Sequence, residues 1–316
     1  MILKSVIMDC DPGIDDAVAL FLLLASEKVD LLGLTACAGN QIPEKTYQNA
    51  RKLLALAQRE DIPVFRGAPK PLIRELLIAG DVHGDSGLGG AALPESGAVI
   101  RSEKAWDFIA ETVAESSEQV TLLATGPLTN IAILLLCAPE IKSKINEIVL
   151  MGGACFGGNI TPQAEFNVFV DPEAAKIVFN AGIPIKMFGL DVSTKAQMYR
   201  KEVECLKGYG SRTGAFFHDI LTFYNKTTIP YFLAPEGQEE GVHLHDPCAA
   251  AYLIDPSLFV LRDCFVEVET KDGPTLGSTV VDYDRLTGKP FNASVAFGVD
   301  RERLIGLILE SLKKFR

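Results

Sequence analysis

"MDCDPGIDDAVAL" (residues 8–20) places Asp9, Asp11, Asp15 and Asp16 within eight positions, around a Pro-Gly pair. It continues "SVIM" (5–8), an apolar run that reads as a buried strand, and opens "DDAVALFLLLAS" (15–26), which reads as a buried helix. Acids in a first helical turn suit the positive end of the helix dipole. A turn and a helix cap account for two of the four aspartates and leave the others unexplained. Two carboxylates ~4 Å apart repel by about 1 kcal/mol in water and by about 4 kcal/mol at an effective dielectric near 20. The offset is a proton, a cation or exposure to solvent. A hard cation explains the cluster best, since calcium takes about 6–8 oxygen ligands from carboxylates, carbonyls and water. One loop supplies two or three of these, so the rest must come from elsewhere in the chain.

Outward from this stretch, strand-like and helix-like segments alternate. "VDLLGLTACAG" (29–39), "IPVFRG" (62–67), "VTLLAT" (120–125), "EIVLMGG" (147–153) and "IPIKMFGLD" (183–191) read as strands without polar alternation. Helical patterns at 43–60, 105–116, 130–138 and 171–182 separate them. The order predicts an α/β fold with an open, mostly parallel sheet flanked by helices. Residues 68–101, rich in Pro and Gly and including "GDVHGDSGLGG" (80–90), read as a long loop. Beyond 195, helices near 201–208, 213–226 and 246–254, a β-rich segment at 263–283 and a closing helix at 301–315 suggest a small C-terminal β-rich addition. No linker, charge block or internal repeat divides residues 1–316, which predicts a single domain.

Composition narrows the partners. The 316 residues carry 30 basic and 41 acidic side chains, a net charge of −11. That balance speaks against nucleic acid or an anionic membrane as partner. Seven scattered cysteines without a CxxC pair fit a reducing cytoplasm. The uncharged run at 120–139 is interrupted by Gly-Pro and Thr-Asn, and reads as strand, loop and buried helix rather than a membrane span.

In an open parallel sheet, ligands sit beyond the carboxyl ends of the strands. The polar residues follow strands in this way: the aspartates the first, Asn40 the second, "TGPLTN" (125–130) and "MGGACFGGN" (151–159) two more. Far along the chain, "HLHDPCAAAYL" (243–253) offers His245 and Asp246, a general acid and a metal ligand side by side. An aspartyl-phosphate phosphatase is the rival, because Asp9 and Asp11 have its D-x-D spacing. Pro12 and Gly13 stand where that pattern needs a hydroxyl residue and an apolar one.

"DCDPGIDDAVAL" (9–20), "AGN" (38–40), "ATGPLTNIA" (124–132), "EIVLMGGA" (147–154), "AEFNVFVDPEAA" (164–175), "HDP" (245–247) and "STVVDYDRLTGKPFNA" (278–293) together carry a resemblance. Nearly end to end, the chain resembles the calcium-dependent nucleoside hydrolases, inosine–uridine-preferring and pyrimidine-specific. "IPEKT" (42–46) and "VHGDSGLGG" (82–90) look most like the pyrimidine-specific bacterial branch. The resemblance implies a Rossmann-like fold and an N-ribohydrolase that splits a nucleoside into base and ribose. It places Ca2+ on Asp11, Asp16, the backbone carbonyl of Thr125 and Asp246, with Asp11 also the base toward the attacking water. It places the ribose hydroxyls on Asp15, Asn40, Glu165 and Asn167, the 5′-hydroxyl on Asn159, and Met151 under the sugar. His245 falls on the leaving-base side, with His83 on a lid loop near it. Tyr224, Thr228 and Tyr231 are candidates to touch the base. The resemblance further implies a homo-oligomer, dimer or tetramer, with a small-molecule nucleoside as partner.

The chemistry agrees, since N-glycosidic cleavage needs an activated water, a cradle for oxocarbenium charge and help for the leaving group. The spacing of Glu165 and Asn167 places both on one side if that segment is extended. Uridine and cytidine are the favoured substrates. A broad inosine–uridine hydrolase and a non-catalytic calcium-dependent nucleoside- or ribose-binding protein are the alternatives.

Overall fold

A computed structural model describes residues 3–228 and 241–315. The chain begins β1 (Lys4–Cys10), α1 (Ile14–Ala25), β2 (Val29–Ala36), α2 (Pro43–Leu56), β3 (Val64–Arg66), α3 (Gly80–His83), α4 (Ala105–Glu115), β4 (Val120–Ala124) and α5 (Thr129–Cys137). It continues through β5 (Ile145–Met151), α6 (Phe166–Val170), α7 (Pro172–Phe179), β6 (Ile185–Phe188), α8 (Leu190–Ser193), β7 (Gln197–Tyr199), α9 (Arg200–Cys205) and α10 (Arg212–Thr228). The rest is β8 (Gly241–His243), α11 (Asp246–Ile254), β9 (Phe259–Cys264), β10 (Val266–Val268), β11 (Thr279–Val281), β12 (Ala293–Val299) and α12 (Arg301–Leu312).

Eight strands form one sheet in the order β3-β2-β1-β4-β5-β6-β12-β9. All neighbours are parallel except β9, which runs antiparallel to β12. The absence of polar alternation in the first strand has a simple cause: both its faces are covered. Val6, Met8 and Cys10 enter one core with α1, α10, α11 and α12, while Ile7 enters the other with α4, α5 and α7. Helix α1 lies wholly inside from Ile14 to Leu23.

Strand order reverses at β1, which pairs with β2 on one side and β4 on the other. The crevice beyond the carboxyl ends of β1 and β4 is therefore the topological switch point of the sheet. The aspartate loop and "TGPLTN" both open into it.

Three elements depart from the sequence expectation. The long loop at 68–101 contains one helical turn, α3, which carries His83. The β10–β11 ribbon is the small C-terminal addition, but β9 and β12 join the main sheet instead. Strand β12, "ASVAFGV", is rich in small residues with little alternation, and takes its extended form from pairing with β6 and β9. Glu165 and Asn167 do not lie on an extended segment: Glu165 caps α6 and Asn167 sits in its first turn. The Glu165 carboxylate accepts the backbone N–H groups of Asn167 and Val168, and that local bond favours the helix over an extended run.

The end of β1 is braced to its neighbours. Asp9 Oδ1 accepts Thr35 Oγ1 from β2 at 2.5 Å and Asn130 Nδ2 from α5 at 2.8 Å. Asn130 Oδ1 in turn accepts the Ala68 N–H at 2.8 Å. Burial pushes the Asp9 carboxyl up to about 7 despite these donors. Asn130→Ala strands a buried carboxylate and a buried amide at once, so we expect it to destabilise the fold by about 2–4 kcal/mol, read as a lowered urea midpoint at unchanged slope.

Candidate active site

The loop between β1 and α1 brings Asp11, Asp15 and Asp16 to the switch point, and the start of α11 brings Asp246 to the same place. All four are buried. Asp16 is the best supplied with donors. Its Oδ2 accepts the Gly13 N–H at 2.9 Å and Asn40 Nδ2 at 3.0 Å, and its Oδ1 accepts Thr125 Oγ1 at 2.8 Å. Asp11 Oδ2 accepts the Asn40 N–H at 2.6 Å, whereas Asp11 Oδ1 is buried with no hydrogen-bond partner among the described residues. Burial first, and then Asp16, hold the Asp11 carboxyl well above the usual carboxylate range. Asp15 is raised to about 7 by the same two causes, with the backbone N–H groups of Asp246 and His245 favouring its charged form.

One oxygen each of Asp15, Asp16 and Asp246 lies within 4.8 Å of the others, an arrangement that could hold a metal ion. The sequence reading assigned Asp15 to the sugar and Asp11 to the ion, yet Asp15 belongs to this convergent trio. Asp11 is not one of the three, although the charges of Asp16 and Asp15 act on its carboxyl. A buried, donor-poor set of hard oxygens fits a divalent cation, which reverses the charge repulsion that burial magnifies. The packing around Asp11 depends on two glycines. A Cβ at Gly39 would stand 2.2 Å from Asp11 Oδ2, and one at Gly126 2.5 Å from Asp11 Oδ1.

Above this floor opens a pocket lined by Asp15, Asn40, Thr125, Glu165, Asn167 and Asp246, with Met151 and Asn159 on the same wall. Its two amides are oriented by the floor. Asn40 spends its Nδ2 group on Asp16 and on the Asp11 carbonyl at 3.2 Å. Asn167 Nδ2 donates to the carbonyls of Thr125 at 3.0 Å and Met151 at 3.2 Å. Among the described residues no donor is directed at Oδ1 of either amide, so both present an acceptor to a hydroxyl-bearing ligand. Glu165 is raised to about 7 by burial against the pull of its backbone donors, which include the Gly153 N–H at 2.8 Å. Asn159 Oδ1 accepts the Phe166 N–H at 2.9 Å.

His83 and His245 line the pocket with Tyr224 and Thr228. Tyr231 lies outside the described residues. His83 Nδ1 accepts the Ile14 N–H at 3.2 Å, so its proton sits on Nε2; its ring stacks on Tyr224 with centroids 5.3 Å apart. Burial lowers His83 to about 4, and burial followed by His243 and His83 lowers His245 to about 3, so both are neutral. Thr227 Oγ1 donates to the Val82 carbonyl at 2.7 Å and ties α10 to α3.

Sequence reasoning missed Ser193, whose Oγ lies 2.8 Å from His245 Nδ1. It also missed the apolar lining from Ile78, Val82, Ile160 and Phe166. Ser193 follows β6 on the same rim as the motifs that were noticed, and that position was the available signal. The apolar residues carried none, because an aliphatic side chain in a loop or short helix looks alike whether it faces core or ligand.

A rim of acids and amides at the switch point of a parallel sheet, with histidines in the same pocket, has the make-up of a hydrolytic enzyme site. The family profile described as "Inosine-uridine preferring nucleoside hydrolase" matches residues 6–306, and the chain belongs to that family. It hydrolyses the N-glycosidic bond of ribonucleosides, which sets aside the phosphatase and the non-catalytic binding protein. The chain is 49% identical over 309 residues to the pyrimidine-specific ribonucleoside hydrolase RihA of Shewanella sp. (strain MR-7), covering 98% of this chain and 96% of the relative. It is 48% identical over 308 residues to the RihA of Escherichia coli O17:K52:H18, covering 98% of each. Among solved structures, a purine-preferring ribonucleoside hydrolase from Gardnerella vaginalis superposes with a TM-score of 0.91 at 33% identity, covering 99% of both chains.

Gly126→Ala tests the floor. We expect it to displace Asp11 and to abolish any rise in Tm on addition of a divalent cation, a rise that binding to the native state alone would make about 2.7 kcal/mol at a hundredfold excess over Kd. Differential scanning calorimetry with and without chelator provides the measurement.

Proposed function

We propose that the enzyme acts preferentially on pyrimidine ribonucleosides such as uridine and cytidine, and that calcium is its resident cation. The observation that carries the reading is the convergence of Asp15, Asp16 and Asp246, one oxygen each within 4.8 Å of the others, at a pocket that Asn40 and Asn167 also line, with Asp11 Oδ1 buried and unpartnered among the described residues. A divalent cation held by Asp11, Asp16, Asp246 and the Thr125 carbonyl supplies Lewis acidity toward water and sugar hydroxyls. Asp11 Oδ1, with no competing donor, takes the proton of the attacking water. Asp15, Asn40, Glu165 and Asn167 hold the ribose, with Asn159 toward the 5′-hydroxyl and Met151 beneath the ring. The Glu165 carboxylate faces the positive charge that develops on the sugar. His83 and His245, neutral, meet the departing base as hydrogen-bond donors, and the base then takes a proton from solvent.

Pyrimidine preference is supported by the names of relatives at 48–49% identity, against the purine-preferring neighbour at 33%. Calcium is supported by a donor set made only of hard oxygens. Residues 1–316 read as one domain, because strands from both ends of the chain share the main sheet. Seven unpaired cysteines favour a reducing cytoplasm, and no helix of the described residues is long and apolar enough to cross a membrane. A homo-oligomer of two or four copies belongs to the same reading and rests on the family resemblance.

Ribose release from uridine, cytidine, inosine and adenosine, with and without a calcium chelator, tests the reading. We expect kcat/KM for the two pyrimidines to exceed that for inosine by at least about tenfold, a difference of about 1.4 kcal/mol, and the chelator to remove turnover on all four. Equal rates across the panel would end the claim of preference.

His245→Ala should cost uridine about 10²-fold in kcat, the low end for a group assisting proton movement, but should change p-nitrophenyl riboside by less than about threefold. That leaving group departs unaided, so equal losses on both substrates would remove His245 from the base side.

A further inference from the structure

The contact between Ser193 and His245, just behind the pocket wall, is left unused by the reaction as described. Ser193 closes α8, the short helix after β6, and is fully buried. Its backbone N–H donates to the Gly189 carbonyl at 3.1 Å, which fixes the residue in place. Its Oγ lies 2.8 Å from Nδ1 of His245, itself buried at the mouth of α11. Two arrangements satisfy that distance. If the imidazole donates from Nδ1, the single serine proton is left without an acceptor among the described residues. If serine donates, both groups are satisfied and the imidazole proton moves to Nε2. Buried hydroxyl protons are seldom left unpaired, so the second arrangement wins.

We infer that Ser193 is a positioning residue: its Oγ–H···Nδ1 bond locks His245 as the Nε2–H tautomer, so that the ring offers a donor to the departing base. A matching arrangement stands on the lid, where the Ile14 N–H binds Nδ1 of His83 and leaves its proton on Nε2 as well. The two rings reach the same tautomer through different donors, one a hydroxyl and the other a backbone amide. A pocket with two such donors recognises bases whose exposed edge carries acceptors, as the carbonyl oxygens of a pyrimidine do. The inference rests on the pyrimidine nucleosidase reading above for its consequence, but not for its structural half.

The two halves are tested separately. Full-length enzyme labelled with ¹⁵N in its four histidines gives ring nitrogen shifts that distinguish protonated from unprotonated Nδ1. The unmodified protein should show His245 Nδ1 unprotonated and Nε2 protonated; Ser193→Ala should show a mixture of tautomers, and Ser193→Thr, which keeps the hydroxyl, should restore the first pattern. An Nδ1–H signal for His245 in the unmodified protein, or an unchanged spectrum in Ser193→Ala, overturns the inference whatever the substrate proves to be. In steady-state assays Ser193→Ala should lower kcat for uridine about tenfold with KM changed less than threefold. p-Nitrophenyl riboside should stay within threefold, and Ser193→Thr should recover at least a third of kcat. A uridine kcat unaffected by Ser193→Ala, or equal losses on both substrates, overturns the positioning role.

Discussion

The structure depends on burying five carboxylates at one point of a parallel sheet. Asp9, Asp11, Asp15, Asp16 and Asp246 are all inaccessible, and charges a few ångströms apart repel by about 4 kcal/mol at an effective dielectric near 20. The fold meets this with hydrogen-bond donors, and it supplies them unevenly. Asp9 and Asp16 receive hydroxyl, amide and backbone donors from Thr35, Asn130, Gly13, Asn40 and Thr125. Asp11 Oδ2 accepts the Asn40 N–H, while Asp9 Oδ2 and Asp11 Oδ1 are buried without a partner among the described residues. A cation held where Asp15, Asp16 and Asp246 converge would offset the charge that these donors leave.

The same economy shapes the pocket above. Asn40 and Asn167 point their N–H groups at the floor, toward Asp16 and toward the Thr125 and Met151 carbonyls. The acceptor ends that remain are the ones a hydroxylated ring needs. An amide has a donor end and an acceptor end, so anchoring one end fixes what the other presents. Gly39 and Gly126 let two loops close on the Asp11 carboxylate, and any side chain at either position would occupy the space of its oxygens.

Opposite the acids, burial works in the other direction. It keeps His83 and His245 uncharged, so this side of the pocket carries two neutral rings rather than two cations. Ile78, Val82 and Phe166 add an apolar surround. Helix α10 holds the lid turn through Thr227 and Tyr224, which links the order of the lid to the contents of the pocket.

Much of this was legible in the chain, and the reason is local. Continuous apolar strands, helical periods between them and polar residues just after strands are properties of neighbouring residues, so the parallel sheet and its functional rim could be read directly. The resemblance then assigned roles to Asp11, His245 and Asn167 that no spacing could give. Other features were not local. Strand β12 owes its form to β6 and β9, Glu165 turned out to start a helix because its carboxylate found backbone amides two and three residues ahead, and Asp15 joined Asp16 and Asp246 across some 230 residues of chain. The sequence by itself determined the class of fold, the family and the residue types of the site. Tertiary structure alone decided which carboxylate oxygens are left without a donor, which end of each amide the floor holds, and that Ser193 meets His245. Those are matters of direction between distant groups, and a linear pattern carries no directions.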